Sequence, residues 1–581
     1  MTFRLRTYIV FVFLTFLSLN ISAQQLDRIG KDQPIKVSGG LSFNQTAYQA
    51  WGIDSRRDPY RYILNGNLNF DIYGLAVPLS FSYSNQNFSY QQPFNQFALS
   101  PSYKWMNFQL GYGNMTFSPY TLAGHTFYGA GMQGSPSDRW EVAVMYGRLR
   151  KAVAPDSTQA GMEPSYRRMG YGAKAEYRHK GGNIGFSFLK GRDERSSLNN
   201  ESLQGQPLPA EENLATNLYL GQRFGKLSIQ VEGALSVLTH DLSSEKRKSQ
   251  FIDHIFPSRT STSAYWAMNS ALAYQISAWN IGLGYERIGP EFRTHGMYYA
   301  NNDLETATVN ISGAMFGGKL NINTNIGGQR DNLDGQKVSD MSSLNGALSM
   351  NLAATKKLNI SASYSNFRSF TVIRSQFDDI NQADPIFQID TLNFTQLTDA
   401  ANASVNWVLG QSKTTSQALN LSVNYQATAS EQSEQAQANA DSEFWNGVVG
   451  WNWALRPADF RFGFSMNAAW MVPNDLTPSN LTLGPTVTLS KGFWDKKLKT
   501  RSSLSFNQAQ QDGETLNQVW SWRVGASTNI KKSHSLNLTS TLINRSDYKN
   551  DKPSFSELTF TLGYSYRFSP GNKKSEKSLE N

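Results

Sequence analysis

The sequence predicts an all-β chain that closes into a single transmembrane, antiparallel up-and-down β-barrel of about 26 strands, with about 24 as the alternative. Three observations predict this fold. Apolar and polar residues alternate along the chain, short turns alternate with long polar loops, and the composition combines 13% aromatic with only 17% charged residues. In a membrane barrel every second strand residue faces lipid and its neighbours face a polar lumen. The average composition then resembles that of a soluble protein although half of the strand surface is apolar.

The alternation is clearest in segments 279–286 and 358–365. In the first, one phase holds apolar and aromatic residues and the other holds asparagine, glycine and glutamate. The apolar phase consists of Trp279, Ile281, Leu283 and Tyr285. A pleated strand sends these two sets to opposite faces, whereas a helix would mix them. We therefore predict strands throughout, from Ile35–Tyr48 as the first to Ser556–Phe568 as the last.

The connections between the predicted strands alternate in length. The short turns are Gly181-Gly182, Gly225-Lys226, Gly317-Gly318, Thr355-Lys356 and Lys531-Lys532. The long loops are Asp193–Asn213, Asp241–Thr260, Arg293–Asp303, Arg374–Ile389 and Gln426–Asp441. Outer-membrane barrels have tight periplasmic turns and extended outer loops, whereas a soluble sandwich has no reason to keep this rhythm. An even number of strands places both barrel ends at the short-turn, periplasmic side.

The N-terminal residues predict export. Arg4 and Arg6 precede a short apolar stretch at 8–19, and Ile21-Ser22-Ala23 forms a small-residue cleavage site. The apolar stretch is too short to span a bilayer. The predicted organisation is a signal peptide at 1–23, a short periplasmic arm at 24–34, the barrel at 35–568 and a polar periplasmic tail at 569–581. The lack of cysteine excludes a lipid-anchored N-terminus, disulfides and thiolate metal sites.

Composition and motifs argue against an enzyme and against a nucleic-acid-binding protein. The formal net charge is +9, but lysines and arginines are scattered and many lie beside turns, which is typical of charged barrel ends. No nucleophile elbow, phosphate loop or dinucleotide fingerprint occurs, so we predict no catalytic residue and no cofactor. The histidines lie far apart without metal-ligand spacing. They are His125, His179, His240, His254, His295 and His534.

Several charged residues occupy the polar phase of the predicted strands and are candidates to face the lumen. An Arg or Lys at mid-depth on the lipid face costs about 2–4 kcal/mol, which favours the inward orientation. Two roles are open for them, tuning of solute selectivity or pairing across strands to stiffen the wall. The candidates are Lys174, Glu176, Arg178, Glu232, Glu286, Arg461, Arg523 and Arg567.

Aromatic residues cluster near the predicted strand ends. Membrane barrels place amphipathic rings there, at the level of the lipid headgroups. Core packing in a water-soluble fold is the alternative. The residues are Trp105, Tyr298, Tyr299, Trp445, Trp451, Trp453, Trp520 and Trp522.

The last predicted strand resembles the β-signal of outer-membrane proteins. Polar Thr561 is followed by Gly563, with aromatic Tyr566 and Phe568 three and five positions after the glycine. The resemblance implies that the barrel-assembly machinery recognises this strand. Independently of it, five residues share one face, as a lipid-facing terminal strand requires. They are Phe560, Leu562, Tyr564, Tyr566 and Phe568. The polar tail departs from the usual pattern, in which the signal closes the chain.

Segments 120–131 and 298–305 are similar to segments of large, mostly uncharacterised Bacteroidota outer-membrane barrels. This resemblance covers most of the barrel. It implies a location in the outer membrane of a Gram-negative bacterium, among outer-membrane lipids. It adds little about cargo.

The predicted size defines the functional alternatives. Barrels of about 16 to 18 strands already leave an aqueous channel and those of about 22 need a plug, so an empty lumen at about 26 strands would leak. The lumen must therefore be filled by inward-folded loops, chiefly Arg374–Ile389 and Asp241–Thr260, or by a partner protein. We favour the first arrangement, which predicts a porin-like channel for solutes. The second predicts a structural or secretion-associated scaffold.

Overall fold

The computed structural model of the chain describes residues 35–72, 75–85, 95–154, 164–198, 208–247, 256–298, 302–336, 342–366, 396–430, 442–473, 479–531, 533–549 and 553–569. The predicted signal peptide, the N-terminal arm and the tail from residue 570 onward lie outside these ranges. Within the described residues, no helix is long and apolar enough to cross a membrane.

The described residues form a closed antiparallel barrel of 26 strands. In chain order the strands are β1 Ile35–Trp51, β2 Tyr60–Ile72, β3 Leu75–Ser84, β4 in two pieces Gln96–Leu99 and Ser102–Tyr103, β5 Met106–Thr116, β6 Ala123–Ser137, β7 Trp140–Arg150, β8 Arg167–His179, β9 Gly182–Glu194, β10 Glu212–Phe224, β11 Leu227–Thr239, β12 Thr262–Ile276, β13 Trp279–Ile288, β14 Leu304–Met315, β15 Leu320–Arg330, β16 Ser342–Thr355, β17 Leu358–Ser365, β18 Gln396–Gln411, β19 Thr415–Ser430, β20 Ser442–Leu455, β21 Phe460–Pro473, β22 Asn480–Phe493, β23 Leu498–Gln511, β24 Glu514–Ile530, β25 His534–Asp547 and β26 Phe555–Phe568. The two pieces of β4 count as one strand because both lie between β3 and β5. A turn of 3-10 helix occupies Arg195–Ser197.

Each strand pairs with its neighbours in sequence, and β26 returns to pair with β1. In this closing pair Leu41 lies opposite Tyr566 and Ala50 lies opposite Glu557. The described strands therefore form a closed ring without an open sheet edge. The predicted single all-β barrel of 26 strands is therefore confirmed.

Short and long connections lie at opposite ends of the barrel. The short turns include Lys180-Gly181, Gly225-Lys226 and Lys356-Lys357, each within one residue of its predicted position. We call this the short-turn end and the opposite one the long-loop end. One connection departs from the alternation, because the tight turn Asp512-Gly513 joins β23 to β24 at the long-loop end.

Some strands extend further than the sequence predicts. β1 continues from the predicted end at Tyr48 to Trp51, and β19 continues to Ser430, into the predicted loop Gln426–Asp441. Backbone pairing with β18 sustains this second extension, with Gln426 opposite Ala400. Its residues are mostly small and polar, so no alternation marks them as a strand.

The outer face of the barrel carries exposed apolar side chains. Leu283 and Trp522 are 54% and 51% exposed, and Trp445 and Trp520 are exposed as well. Tyr298 differs from the predicted girdle, because it lies in the connection between β13 and β14 and stacks on His125 with ring centroids 4.1 Å apart. The remaining girdle candidates occupy three situations: Trp451 and Trp453 lie in β20, Trp105 lies in the turn before β5, and Tyr299 lies outside the described residues.

Candidate functional site in the barrel lumen

Two connections from the long-loop end fold into the barrel and pair with each other. We call residues 117–122, between β5 and β6, the first inner segment, and residues 289–298, after β13, the second inner segment. Leu122 and Gly296 form a parallel bridge. The amide of Ala123 donates to the carbonyl oxygen of Gly296 at 2.9 Å. A single bridge inside the lumen thus joins hairpins that are far apart in sequence.

Side chains of the inner wall hold the first inner segment. The Ser118 hydroxyl donates to Oε1 of Glu232 at 2.6 Å, and the Tyr120 hydroxyl donates to Oε1 of Glu286 at 2.5 Å. Thr121 Oγ1 lies 3.0 Å from the Ser187 hydroxyl, and both side chains are buried. Glu232 and Glu286, two of the predicted lumen-facing charges, therefore contact a folded-in part of the chain.

An apolar cluster fills the space between the first inner segment and the wall formed by β5 to β9. Its members are Met115, Phe117, Leu122, Phe127, Ala143, Met145, Leu149 and Leu189. Glycines make room for it: a Cβ at Gly131 would lie 2.7 Å from Met115 Sδ, and one at Gly170 would lie 2.6 Å from Leu149 Cδ1. Close approach of neighbouring groups is a common reason for glycine inside a strand. On this side the lumen is a packed interior.

The sequence contains a signal for this cluster. Toward the long-loop end, many inward positions of β6 to β9 hold glycine or apolar residues such as Phe127, Met145 and Leu189, where a wet wall would hold polar ones. Sequence reasoning missed it because the alternation was taken to mean apolar outside and polar inside along every strand.

The second inner segment is held by β9, β10 and β11. The amide of His295 donates to Oδ1 of Asn213 at 3.1 Å, and the Ser236 hydroxyl donates to the carbonyl oxygen of Arg293 at 2.6 Å. A Cβ at Gly191 would lie 2.8 Å from Nδ1 of His295. Only glycine at this wall position leaves space for the imidazole ring.

Charged side chains surround His295 at the long-loop end. Asp193, whose side chain is fully buried, accepts hydrogen bonds from Arg168 Nε at 2.7 Å and Arg150 Nη2 at 3.1 Å. Arg150 reaches this cluster through a bulge that shifts the register of β7 against β8 after Arg148. Glu211 accepts from Arg168 at 2.9 Å and also pairs with Arg293.

His295 and Glu211, which lie in connections between strands, both have displaced pKa values. Burial lowers the pKa of His295 from 6.5 to about 4, and the adjacent Arg168 adds to this, against the attraction of Glu211. Burial alone would raise the pKa of Glu211, but His295, Arg168 and Arg293 hold it well below its usual range. At neutral pH the imidazole is therefore neutral and the carboxylate is charged. Nε2 of His295 lies 3.4 Å from this carboxylate.

The predicted candidates Lys174, Glu176 and Arg178 form a second charge cluster with Glu141. Lys174 Nζ lies 3.0 Å from Glu141 and 3.3 Å from Glu176. Arg178 contacts both carboxylates, at 3.2 Å in the case of Glu176. Among the two roles left open by the sequence, these contacts support pairing across strands.

Arg461 and Arg523 lie elsewhere, on the wall formed by β18 to β24. They line an open recess of about 950 Å³ together with Arg501 and with Arg456 from the turn after β20, two residues that sequence reasoning did not single out. Hydroxyl and amide side chains make up much of the remaining lining. They include Asn452, Ser465, Thr486, Thr488, Ser490, Ser503, Ser505 and Ser521. Arg501 has the same signal as the other two, since it shares the polar phase of its strand with Ser503 and Ser505.

The closing strand carries the remaining predicted residues. Tyr566 stacks on His534 and on Phe568, with ring centroids 4.6 and 5.4 Å apart. Gly563 faces β1, where an added Cβ would lie 2.7 Å from Asn44 Oδ1, and Thr561 Oγ1 lies 3.4 Å from Thr46 Oγ1. Arg567, opposite Gly40, is exposed near the short-turn end.

The connections seen inside the barrel are residues 117–122 and 289–298, which were not predicted to fill the lumen. Arg374–Ile389 lies outside the described residues. The described parts of Asp241–Thr260 pair with each other through Lys246 and Arg259. The ring of Phe256 lies under Lys190 Nζ, 5.4 Å from it. The two inner segments are shorter than the two loops that were predicted to fill the lumen. Loop length alone therefore did not identify the inner segments.

In the described part of the chain, no group of three His, Asp or Glu side chains is arranged to hold a metal ion. His125 stacks on Tyr298, and Nε2 of His240 lies 3.1 Å from the Tyr265 hydroxyl. His254 lies outside the described residues.

Comparisons with known proteins give structural matches only. No protein-family model and no curated protein match the sequence. The translocation pore of the P pilus usher PapC is 10% identical, with 92% of this chain and 100% of that chain covered and a TM-score of 0.36. The copper transporter OprC is 10% identical over 91% of this chain and 81% of its own, with a TM-score of 0.37. Acinetobacter baumannii OccAB2 is 9% identical over 66% and 96%, with a TM-score of 0.28. The fold assignment here depends on the strand pairing of this chain.

Proposed function

We propose that this chain is a barrel of the outer membrane of a Gram-negative bacterium that lets solutes pass through a lumen narrowed by its own inner segments. The observation that carries the proposal is the asymmetry of the lumen. Packed segments cover the wall from β5 to β13, while the wall from β18 to β24 borders an open recess of about 950 Å³ lined by polar side chains.

The outer face supports the membrane location. Large apolar side chains such as Leu218, Leu283 and Trp522 are about half exposed on a surface that runs around the closed sheet. A water-soluble protein rarely exposes a continuous apolar surface of this kind. In a membrane, these side chains avoid the free-energy cost of exposure to water, because the apolar band of a membrane barrel faces acyl chains.

The inner segments address the difficulty of an oversized pore. A barrel of 26 strands that is empty would leak, but here the chain fills one side of its own lumen. The remaining polar recess offers water and small solutes a path along the other wall. No catalytic step is part of this proposal.

Single-channel recording from purified protein in planar bilayers tests the function. We expect discrete conductance steps, smaller than those of an unobstructed barrel of this diameter. A matched variant pair is Glu232→Ala, which releases the Ser118 hydroxyl, and Glu514→Ala, whose carboxylate is exposed on Lys549. Only the first should increase the conductance or its fluctuations.

A folded but silent barrel would overturn the channel proposal. Heat-dependent gel migration shows whether the reconstituted protein is folded. If the silent protein repeatedly co-purifies from native membranes with one other protein, the partner-filled scaffold replaces the channel as the function.

We further propose that the barrel-assembly machinery recognises β26 during biogenesis. Tyr566 and Phe568 stack on each other at the outward face of this strand. Replacing both by alanine should lower the amount of folded barrel in the outer membrane. Replacing the exposed Tyr146 and Tyr171, which lie on the outer face of β7 and β8, should not. Equal membrane levels for both variants would contradict the proposal.

A further inference from the structure

The recess on the wall from β18 to β24 brings three arginines onto one face of neighbouring strands, and a fourth, Arg456, lines it from the turn between β20 and β21. Arg461 and Arg501 both lie opposite Ser490, one on each side of β22. Adjacent strands are about 4.8 Å apart, so the two backbones are separated by about 10 Å. Arg523 lies opposite Ser503, two residues from Arg501, which makes it a diagonal neighbour at about 7–8 Å.

These arginines differ from those on the opposite side of the lumen. Arg150, Arg168, Arg178 and Arg293 each contact a carboxylate. By contrast, no Asp or Glu occurs among the described residues that line the recess around Arg461, Arg501 and Arg523. The three side chains are exposed to the lumen. Their charges are therefore not used to stiffen the wall in the way the paired charges are.

The surroundings of the three arginines suit an anion. Small residues such as Gly463, Ser490 and Ser503 lie between them and leave the recess open, and the serine hydroxyls can donate further hydrogen bonds. A guanidinium group binds carboxylate and phosphate oxygens through two parallel hydrogen bonds. Three like charges held this close repel each other in an empty recess, and an anion between them relieves that repulsion.

We propose that Arg461, Arg501 and Arg523 form an oxyanion site on the inner wall that favours passage of small, multiply charged anions carrying phosphate or carboxylate groups. This inference rests on the proposed channel function and names its solute class. A singly charged or neutral solute would engage one arginine or none, so the site discriminates by the number of negative groups.

Two measurements on the full-length barrel test this site. The first is the reversal potential in planar bilayers under a KCl gradient. The second is calorimetric titration of the detergent-solubilised barrel with tripolyphosphate and, separately, with citrate. The test variant carries Arg461→Gln, Arg501→Gln and Arg523→Gln. The control carries Lys180→Gln, Lys226→Gln and Lys319→Gln, which remove the same charge from turns at the short-turn end.

We expect the wild type and the control to be anion-selective and to bind at least one of the two probes. The test variant should lose the anion preference. Its affinity for the bound probe should fall by at least about tenfold for each arginine removed, because hydrogen bonds to charged groups contribute about 1.5–3 kcal/mol. Binding of tripolyphosphate but not citrate would assign a phosphate-bearing solute, and the reverse a carboxylate-bearing one.

The outcomes separate the site from the channel. Equal probe binding by the wild type and the test variant, or no binding by either, would overturn the oxyanion site whatever the conductance. Binding that is lost only in the test variant, in a barrel that never conducts, would support the site and reject the proposed function. Heat-dependent gel migration of the test variant must match that of the control, so that misfolding is excluded.

Discussion

Thr294 Oγ1 donates a hydrogen bond to the carbonyl oxygen of Thr121 at 2.9 Å, although the two residues are 173 positions apart in the chain. Both residues are buried inside the barrel. The bond joins the connection after β5 to the connection after β13. A contact of this kind exists only after the strands between them have closed into a curved wall, so it links the barrel's formation to the occupation of its lumen.

Tyr120→Phe should loosen the first inner segment. The variant keeps the ring, which packs edge-on against Phe292, but loses the hydrogen bond to Glu286. Because a buried hydrogen bond to a charged group contributes about 1.5–3 kcal/mol, the free energy of unfolding should fall by that order. Urea unfolding in detergent measures it. Tyr285→Phe is the matched control, since its bond to Glu305 is exposed, and a drop of the same size there would contradict the explanation.

Gly296→Ala should displace the two inner segments from each other. An added Cβ would lie 2.2 Å from the carbonyl oxygen of Thr121 and 2.5 Å from Leu189 Cδ2. Because a backbone atom cannot move aside as a side-chain end can, the parallel bridge to Leu122 should break. Faster trypsin cleavage after Arg293 and a higher single-channel conductance are the expected results. Gly328→Ala, where nothing lies within 4 Å of the added Cβ, should leave both unchanged.

Acidification should release the second inner segment. The pKa of His295 is about 4 in the folded barrel and 6.5 ordinarily, so the unfolded or released state takes up the proton first. The contribution of neutral His295 to holding the second inner segment in place is therefore complete above pH 6.5. It decreases as the pH falls toward 4. The lowered pKa of Glu211 continues the loss below about 4.5. Proteases change their own activity across this pH range, so hydrogen exchange of residues 289–298, corrected for the intrinsic pH dependence of exchange, is the measurement. His295→Gln should show no change between pH 6.5 and 5.

Glu557→Ala should weaken the seam where the barrel closes. Oε1 of Glu557 in β26 accepts hydrogen bonds from the Tyr48 hydroxyl of β1 at 2.6 Å and from Arg56 Nε at 2.8 Å. Arg56 is partly exposed, so most of the effect should come from the buried Tyr48 hydroxyl, which costs about 1–3 kcal/mol when unsatisfied. The temperature of the gel-migration shift should fall. Glu514→Ala removes an exposed ion pair and is the control. An equal fall in its gel-migration temperature would contradict a particular role of the seam in stability.

Much of the fold follows from local sequence, and much of the lumen does not. The alternation at Trp279 to Glu286 predicts a strand because a pleat sends successive side chains to opposite faces, whatever surrounds it. The polar phase indicated Glu232 and Glu286 as inward residues, but their partners Ser118 and Tyr120 come from a distant connection. The number of residues between the strands did not point to residues 117–122 and 289–298 as connections that fold inward.

What the sequence by itself determined is the periodic part: an all-β chain, its even strand number and its alternation of turns and loops. The all-β character depends on the two-residue repeat of a pleated strand, which each strand carries by itself, and the strand number and the order of turns and loops follow from where polar connections interrupt that repeat. The tertiary structure alone decided that residues 117–122 meet residues 289–298 inside the barrel, and that Arg461, Arg501 and Arg523 share a recess without a described carboxylate. These relationships arise from curvature and closure, which bring together side chains that no local pattern connects.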